Sequence, residues 1–364
     1  MKLNHPSSIA QPEWISTIRE AARKAESAGR LHAEQLKIIK EHGWFKMLAP
    51  QTYSGLELSL PEVVQLEECI SWINGSAGWV VTLCSGAGWF GGFLNRDKAI
   101  EVFSNPEVCL AGSGAVKGTA EVTENGYIIN GRWKYASGAY HATHFTANCA
   151  ITDNGKPVYN EDGSQLIRPF IFDAANVKII HTWNAMGLAA TGSESFEVKN
   201  LVVTEKECFA IDPAQAVVKS PLYLYPFMPL AEATTAVNLS GMAWHFLDLC
   251  DEVFESKKHS ERLTSENRTE LDRILNSSKE ALDTARSEFY ETLDASWSAS
   301  QNGEADQTLY NQVGVKSRGL ARTARQLVDE LYPYCGLTAA DTSAEINQVW
   351  CDIHTASQHA LLTW

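Results

Sequence analysis

A chain of 364 residues exceeds the size at which one hydrophobic core keeps growing, so two or three sub-domains sharing surfaces are expected. Hydrophobic residues at 45% and charged ones at 20% are those of a folded globular protein and exclude disorder. With 30 Lys and Arg against 44 Asp and Glu, the net charge of −14 repels phosphate backbones and anionic bilayers, which argues against nucleic-acid or membrane partners.

The opening MKLNHPSSIAQPEW lacks the basic, apolar and small-residue regions of a secretory signal, and a cytoplasmic location is expected. Eight cysteines are scattered without a C-x-x-C pair, which speaks against a disulfide framework and a zinc knuckle and for reduced core thiols. From Glu13 to about Phe103 apolar residues recur at helical spacing, as in Ile15, Ile18, Ala22 and again in Leu31, Leu36, Ile39. Ser59, ahead of Leu60 and Pro61, is an N-cap candidate. The uncharged stretch GSAGWVVTLCSGAGWFGGFL (75–94) is long enough to span a bilayer, but it is too rich in glycine and has no flanking cations. It reads as a helix buried on all sides, with small residues that let a backbone or a flat ligand come close.

From Glu107 to about Phe209 the period changes to two. Turns are marked at Glu124-Asn125-Gly126, Asn154-Gly155 and Asp162-Gly163, and strands are expected at 121–123, 127–130, 143–151, 168–172, 177–181 and 195–204. Beyond Tyr223 long helices return at about 230–257, 265–298 and 305–331, which suggests a bundle. The expected division is a helical domain over 1–105, a β domain over 106–215 and a helical bundle over 216–364.

Five segments then take on meaning together: GWFKMLAPQTYSGLELSL, SWINGSAGWVVTL, GTAEVTENGYIINGRWKYASGAYHATHF, WNAMGLAATGSESFEVKNLVV and CDIHTASQHALL. In this order and spacing the chain resembles the acyl-CoA dehydrogenase superfamily, and within it the flavin-dependent monooxygenase branch of two-component aromatic hydroxylases and dibenzothiophene monooxygenase. The resemblance implies an α+β, mostly α fold: an N-terminal helical domain, a middle β-barrel domain and a C-terminal four-helix bundle. It implies FAD or FMN as cofactor, a homotetramer or dimer built through the bundle, and, for a monooxygenase, reduced flavin supplied by a separate flavin reductase.

A flavin ring is a flat amphipathic slab with hydrogen-bonding edges; it needs aromatic walls, hydroxyl or backbone donors, and glycines where the main chain approaches. Trp133, Ser137, Trp183, Thr191, Gly192 and Ser193 supply that kit. The resemblance implies that Tyr135, Ala136, Ser137 and Gly138 face the flavin edge and that Trp183 and Thr191 to Ser193 line the site or its approach. Without the motifs, Trp133 and Trp183 read equally well as the filling of a small barrel, and Ser137 and Ser193 as turn residues. The apolar helix is expected to wall the substrate, with Trp79, Cys84, Trp89 and Tyr225 as contacts; such aromatics suit a flat ring and an ordinary core alike. His141 and His144, three apart on a strand, face opposite ways and do not chelate a metal together, and no metal site is expected.

The C-terminal segment decides between chemistries. A dehydrogenase of this family needs a carboxylate over the flavin to take an α-proton, usually a Glu after the last long helix and in some relatives on an earlier bundle helix, whereas CDIHTASQHALLTW places His359 at the usual position. Asp352 stands at the family's Arg-Asp step with Cys351 in place of the arginine. A neutral imidazole can accept a proton from a phenol or hydrogen-bond an oxygen species, so His359 and Ser137 are the catalytic candidates of a monooxygenase. The arginines that pair with the flavin pyrophosphate in the family are missing, leaving Lys316, Arg318, Arg322 and Arg325 as phosphate candidates or a solvated stripe. An acyl-CoA dehydrogenase and a flavin-free scaffold are the alternative functions.

Overall fold

The computed structural model describes residues 3–259 and 263–363. Helix α1 (Pro12–Ala28) starts on a proline in its first turn and stops at Gly29, in the left-handed region (φ 63°). Its buried stripe is Trp14, Ile18, Ala21 and Ala25, one position off the Ile15 and Ala22 line read from the sequence, because Trp14 is the larger anchor and packs on Trp44. After α2 (Ala33–Glu41), α3 (Leu60–Ile73) opens on a reciprocal cap: Ser59 Oγ accepts the Glu62 N–H, and the Glu62 carboxylate accepts the Ser59 N–H at 2.9 Å. Helix α4 (Gly75–Gly88) follows at once, capped by Asn74, whose Oδ1 accepts the Ala77 N–H at 2.9 Å. It is buried along nearly its whole length by α3, a later bundle helix and the sheet. No helix of the described residues is long and apolar enough to cross a membrane. Helix α5 (Arg96–Phe103) closes the region.

Seven strands form one sheet: β1 (Leu110–Thr123), β2 (Gly126–Ala136), β3 (His144–Asp153), β4 (Lys156–Pro157), β5 (Ile167–Asp173), β6 (Lys178–Ile180) and β7 (Glu194–Val203). The order is β4-β3-β1-β2-β7-β6, with β5 also paired to β3; only β1 and β3 run parallel. The β3–β4 turn puts Asn154 (φ 50°) and Gly155 (φ 73°) in the left-handed region, as a tight hairpin requires. Ile129, Trp133, Phe145, Phe170, Phe172 and Phe196 fill the sheet's own core.

The C-terminal part holds α6 (Pro221–Leu224), α7 (Phe227–Lys258), α8 (Ser265–Gln301), α9 (Gln307–Cys335), α10 (Leu337–Ala340) and α11 (Glu345–Ala356), ending in a 3-10 turn at Ala360–Leu362. Helix α7 lies against α3, α4, α8, α9 and α11, so the two helical regions share one apolar core. A polar knot crosses that core. The Glu68 carboxylate of α3 accepts from Arg286 Nε at 2.8 Å and Nη2 at 2.9 Å, from the Tyr290 hydroxyl at 2.8 Å, and from Ser240. The fold is α+β and mostly α, with helices before and after a central sheet.

Candidate active site

At its end β2 leaves the sheet. The pairing with β7 slips between Trp133 and Ala136, and Tyr135, at φ 66°, is a bulky residue held in the left-handed region. This local strain turns its ring outward, 68% exposed and edge-on to Trp183 with centroids 6.3 Å apart. Behind the two rings runs a buried chain of hydroxyls. Ser137 Oγ lies 2.9 Å from Ser193 Oγ, Ser193 Oγ lies 2.7 Å from Thr191 Oγ1, and Thr191 Oγ1 donates to the Leu188 carbonyl at 2.8 Å. A carbonyl only accepts, so the proton order runs from Ser137 to Ser193 to Thr191 to Leu188, and Ser137 Oγ keeps a lone pair for an outside donor. Gly138 (φ 75°) donates its N–H to the Thr191 carbonyl at 2.8 Å and ties the two loops together.

The Thr182–Leu188 loop is clamped at both ends. At its start Glu194 accepts the N–H groups of Thr182 at 2.5 Å and Trp183 at 2.9 Å, and the Tyr140 hydroxyl at 2.8 Å. Burial works against this charge, but the donors outweigh it and hold the carboxyl below its usual range. At the loop's end the Leu188 N–H donates to Asp352 Oδ1 of α11 at 2.5 Å, and the Gly187 N–H donates to Thr355 Oγ1 at 3.0 Å. Gly187 is required there, since a Cβ would stand 2.1 Å from the Cys351 carbonyl oxygen. Burial pushes the Asp352 carboxyl up to about 7 against the pull of the Leu188 hydrogen bond.

Helix α11 leads into His359, whose Nδ1 accepts the Leu361 N–H at 3.4 Å and caps the last turn. With Nδ1 an acceptor, the neutral ring carries its proton on Nε2, and burial lowers its pKa and keeps it neutral. The imidazole meets Trp79 of α4 edge-on at 5.6 Å. One turn further along α4, the Cys84 thiol donates to the Ser137 carbonyl at 3.7 Å. Helix α4 thus touches both the hydroxyl chain and the His359 segment.

Of the residues singled out in the sequence, Tyr135, Ala136, Ser137, Gly138, Trp183, Thr191, Gly192 and Ser193 come together, with Trp79, Cys84 and His359 beside them. Three do not. Trp133 is fully buried in the sheet core, stacked on Phe196 at 5.1 Å with its indole N–H on the Asn148 carbonyl, so the expected flavin contact gives way to core filling. Trp89 is fully buried against Phe93 with its N–H on the Leu222 carbonyl at 2.9 Å, and Tyr225 is fully buried with its hydroxyl 2.8 Å from Ser296 Oγ. Both read as helical-core residues in place of substrate contacts. His354 bridges from α11 to Asp329 at 2.8 Å. His141 lies in the turn between β2 and β3 and not on a strand with His144; it is half-buried with an unpartnered Nε2 and is pushed down to about 4 by burial and then by Arg30 and Lys40. The cationic stripe of α9 is largely neutralised, by Glu288 on Lys316, Glu232 on Arg318 and Asp329 beside Arg325. Glu194 and Tyr140 were missed, and Asp352 was noticed only as half of a family dipeptide. Their partners lie 11 to 164 positions away and leave no local pattern.

The aromatic pair of exposed Tyr135 and half-buried Trp183, the hydroxyl chain with an acceptor at its head and the glycine-turned backbone fit a flat ring with polar edges, as a flavin has. Residues 233–364 match the family model described as acyl-CoA dehydrogenase, C-terminal domain. The chain is 26% identical to the indole-3-acetate monooxygenase of Pseudomonas putida over 355 residues, 96% of this chain and 88% of that protein. It is 24% identical to the flavin-dependent monooxygenase oxygenase subunit HsaA of Rhodococcus jostii over 366 residues, covering 95% and 92% of the two. Among solved structures, XiaF from Streptomyces sp. in complex with FADH2 and glycerol superposes with a TM-score of 0.86 at 20% identity, over 96% of this chain and 89% of that one. The chain thus carries the C-terminal domain of the acyl-CoA dehydrogenase family over residues 233–364 and is similar along nearly its whole length to flavin-dependent monooxygenases.

Proposed function

We propose that this protein is the oxygenase component of a two-component system that hydroxylates a small aromatic compound, receiving reduced FAD or FMN from a separate reductase. The observation that carries the reading is the state of the two titratable groups at the C-terminal end of the site. Asp352, the carboxylate seven residues before His359, is 2% exposed and engaged with the Leu188 N–H, while His359 is a neutral imidazole with Nε2–H available. That arrangement suits a hydrogen-bond donor to an oxygen more than a base for a thioester α-proton. The relatives' names, for an indole acid and for a flavin-dependent oxygenase subunit, support the substrate class and the need for a reductase.

Reduced flavin supplies the activation of molecular oxygen. Tyr135 and Trp183 would flank the ring, Ser137 Oγ would accept from one of its N–H groups, and His359 Nε2–H would hold the reacting oxygen or the substrate's own oxygen. Trp79 fixes the imidazole plane. Exposed apolar residues on the bundle, including Met228, Val315 and Leu337, support a homo-oligomer.

The test supplies chemically reduced FMN or FAD and oxygen with a panel of phenols and indoles, and in parallel titrates the flavin-loaded protein with acyl-CoA thioesters without oxygen. Ring hydroxylation is expected in the first arm. Flavin reduction by a thioester, or a purified protein that binds no flavin, would overturn the proposal.

A further inference from the structure

Leu188 is a hub. Its N–H is held by Asp352, and its carbonyl accepts the Trp183 indole N–H at 3.0 Å, the Thr191 hydroxyl at 2.8 Å and the Thr191 N–H at 3.1 Å. Its backbone, at φ 52°, is in the left-handed region that a leucine adopts only when its surroundings impose it. Its side chain is buried in the helical core, and Asp352 is the hydrogen-bond partner that the bundle supplies to its backbone. It lies on α11, 2% exposed, with Oδ2 against Gly75 at the start of α4, where a Cβ would approach to 2.8 Å. The helix that carries Asp352 ends at Ala356, and a short turn then brings in His359, seven residues after Asp352.

We infer that Asp352 is a positioning residue that locks the Ser137–Ser193–Thr191 hydroxyl chain in register with His359, by holding Leu188 in its left-handed conformation. The inference rests on the proposal that this chain faces the flavin. Asp352 touches none of the hydroxyls itself and acts through Leu188. A rigid acceptor at Leu188 O fixes the proton order, and with it the acceptor character of Ser137 Oγ. The same side chain anchors the last turns of the helix that leads into His359, which couples the two halves of the site. What Asp352 contributes to the loop is an acceptor at one point, and an asparagine oxygen can provide that as well as a carboxylate.

The experiment compares Asp352→Asn, Asp352→Ala and Thr191→Val with wild type in three readouts: amide hydrogen exchange of residues 183–193, quenching titration with oxidised FMN and FAD, and the ratio of product to released peroxide. Asp352→Ala is expected to speed exchange across 183–193 by about tenfold or more, to weaken flavin binding by about tenfold and to shift turnover towards peroxide, while Asp352→Asn stays near wild type in all three. Thr191→Val should weaken flavin binding in the wild-type background and add little on top of Asp352→Ala, because both cut one chain. If Asp352→Ala does not fold, Gly187→Ala attacks the same docking from the loop side and should loosen the same segment. Unchanged exchange over 183–193 in the alanine variant, or an asparagine variant as impaired as the alanine one, would overturn the inference. Should wild type bind no flavin while Asp352→Ala still loosens 183–193, the flavin proposal falls and the positioning link stands.

Discussion

The indole of Trp79 and the imidazole of His359 meet edge to face with ring centroids 5.6 Å apart, which brings the last residues of the chain against the apolar helix of its first hundred. In this geometry Nδ1 caps the Leu361 N–H and Nε2–H is the chemically available atom. His359→Asn can keep the cap and lacks the Nε2 donor, whereas His359→Ala loses both. Product formation with reduced flavin and oxygen is expected to fall by about 10² to 10⁴ in both variants, with flavin binding retained. Only the alanine variant should also lose about 1 kcal/mol of stability. An asparagine variant that couples oxygen to product as well as wild type would remove His359 from the chemistry.

Stability should depend on Asp352 with a definite sign. Its carboxyl has an ordinary value of 3.8 and is pushed up to about 7 in the native state by burial. Between those limits the folded protein keeps a proton that the unfolded chain releases, so stability falls as pH rises across this window, by up to about 4 kcal/mol, and is flat above it. Asp352→Asn removes the slope. Its advantage over wild type in urea denaturation should be larger at about pH 8 than at about pH 5. The opposite contribution of His141, lowered to about 4 and therefore destabilising as pH falls below 6.5, is common to both proteins and cancels in the comparison. An advantage equal at both pH values would mean that Asp352 titrates normally.

Gly187→Ala tests the docking of the Trp183 loop by sterics alone. The added methyl meets the Cys351 carbonyl oxygen at 2.1 Å, and neither backbone can yield without breaking the Gly187–Thr355 and Leu188–Asp352 bonds. A cost of about 1 to 3 kcal/mol is expected, read as a lowered denaturation midpoint. Indole fluorescence from Trp183 should change as its N–H leaves the Leu188 carbonyl. Wild-type stability and an unchanged emission spectrum would contradict the packing described for this loop.

Assembly can be checked on the bundle surface. Met228 and Val315, 53% and 59% exposed, line a groove of about 360 Å³ with Pro229 and Tyr310, between the start of α7 and the first turns of α9. Light scattering of the wild type at micromolar concentration should give a dimer or tetramer. Met228→Glu combined with Val315→Glu should shift it towards monomer. A monomeric wild type would end this reading.

The helices, the strands and the grouping of most candidate-site residues were visible in the sequence because each rests on a local signal. The Ser59 cap needs only Glu62 three residues on, and α4 announces its burial by having no charge at all. Trp133 was misread for a physical reason. On a regular strand it would share a face with Tyr135, two residues later, and both would wall the same ligand. The register slip between Trp133 and Ala136 breaks that parity: Trp133 stays inside and Tyr135 swings out at φ 66°. Nothing local in GRWKYASG distinguishes a bulged strand from a straight one. Glu194 and Asp352 escaped for a different reason, since a carboxylate that organises a loop does so through main-chain N–H groups that every residue has.

The knot around Glu68 also bears on how the molecule comes apart. Arg286 belongs to the segment that matches the C-terminal family model, residues 233–364, whereas its bidentate partner Glu68 lies in α3, outside that segment. A fragment cut at the start of the match would lose α3, expose the apolar faces of α7 and α8 that α3 covers, and take from Arg286 its bidentate partner Glu68. The shared core and this long-range bond between the first and last thirds of the chain lead us to expect that they unfold as one cooperative unit, and that the bundle, although recognisable by itself as a sequence, does not fold on its own.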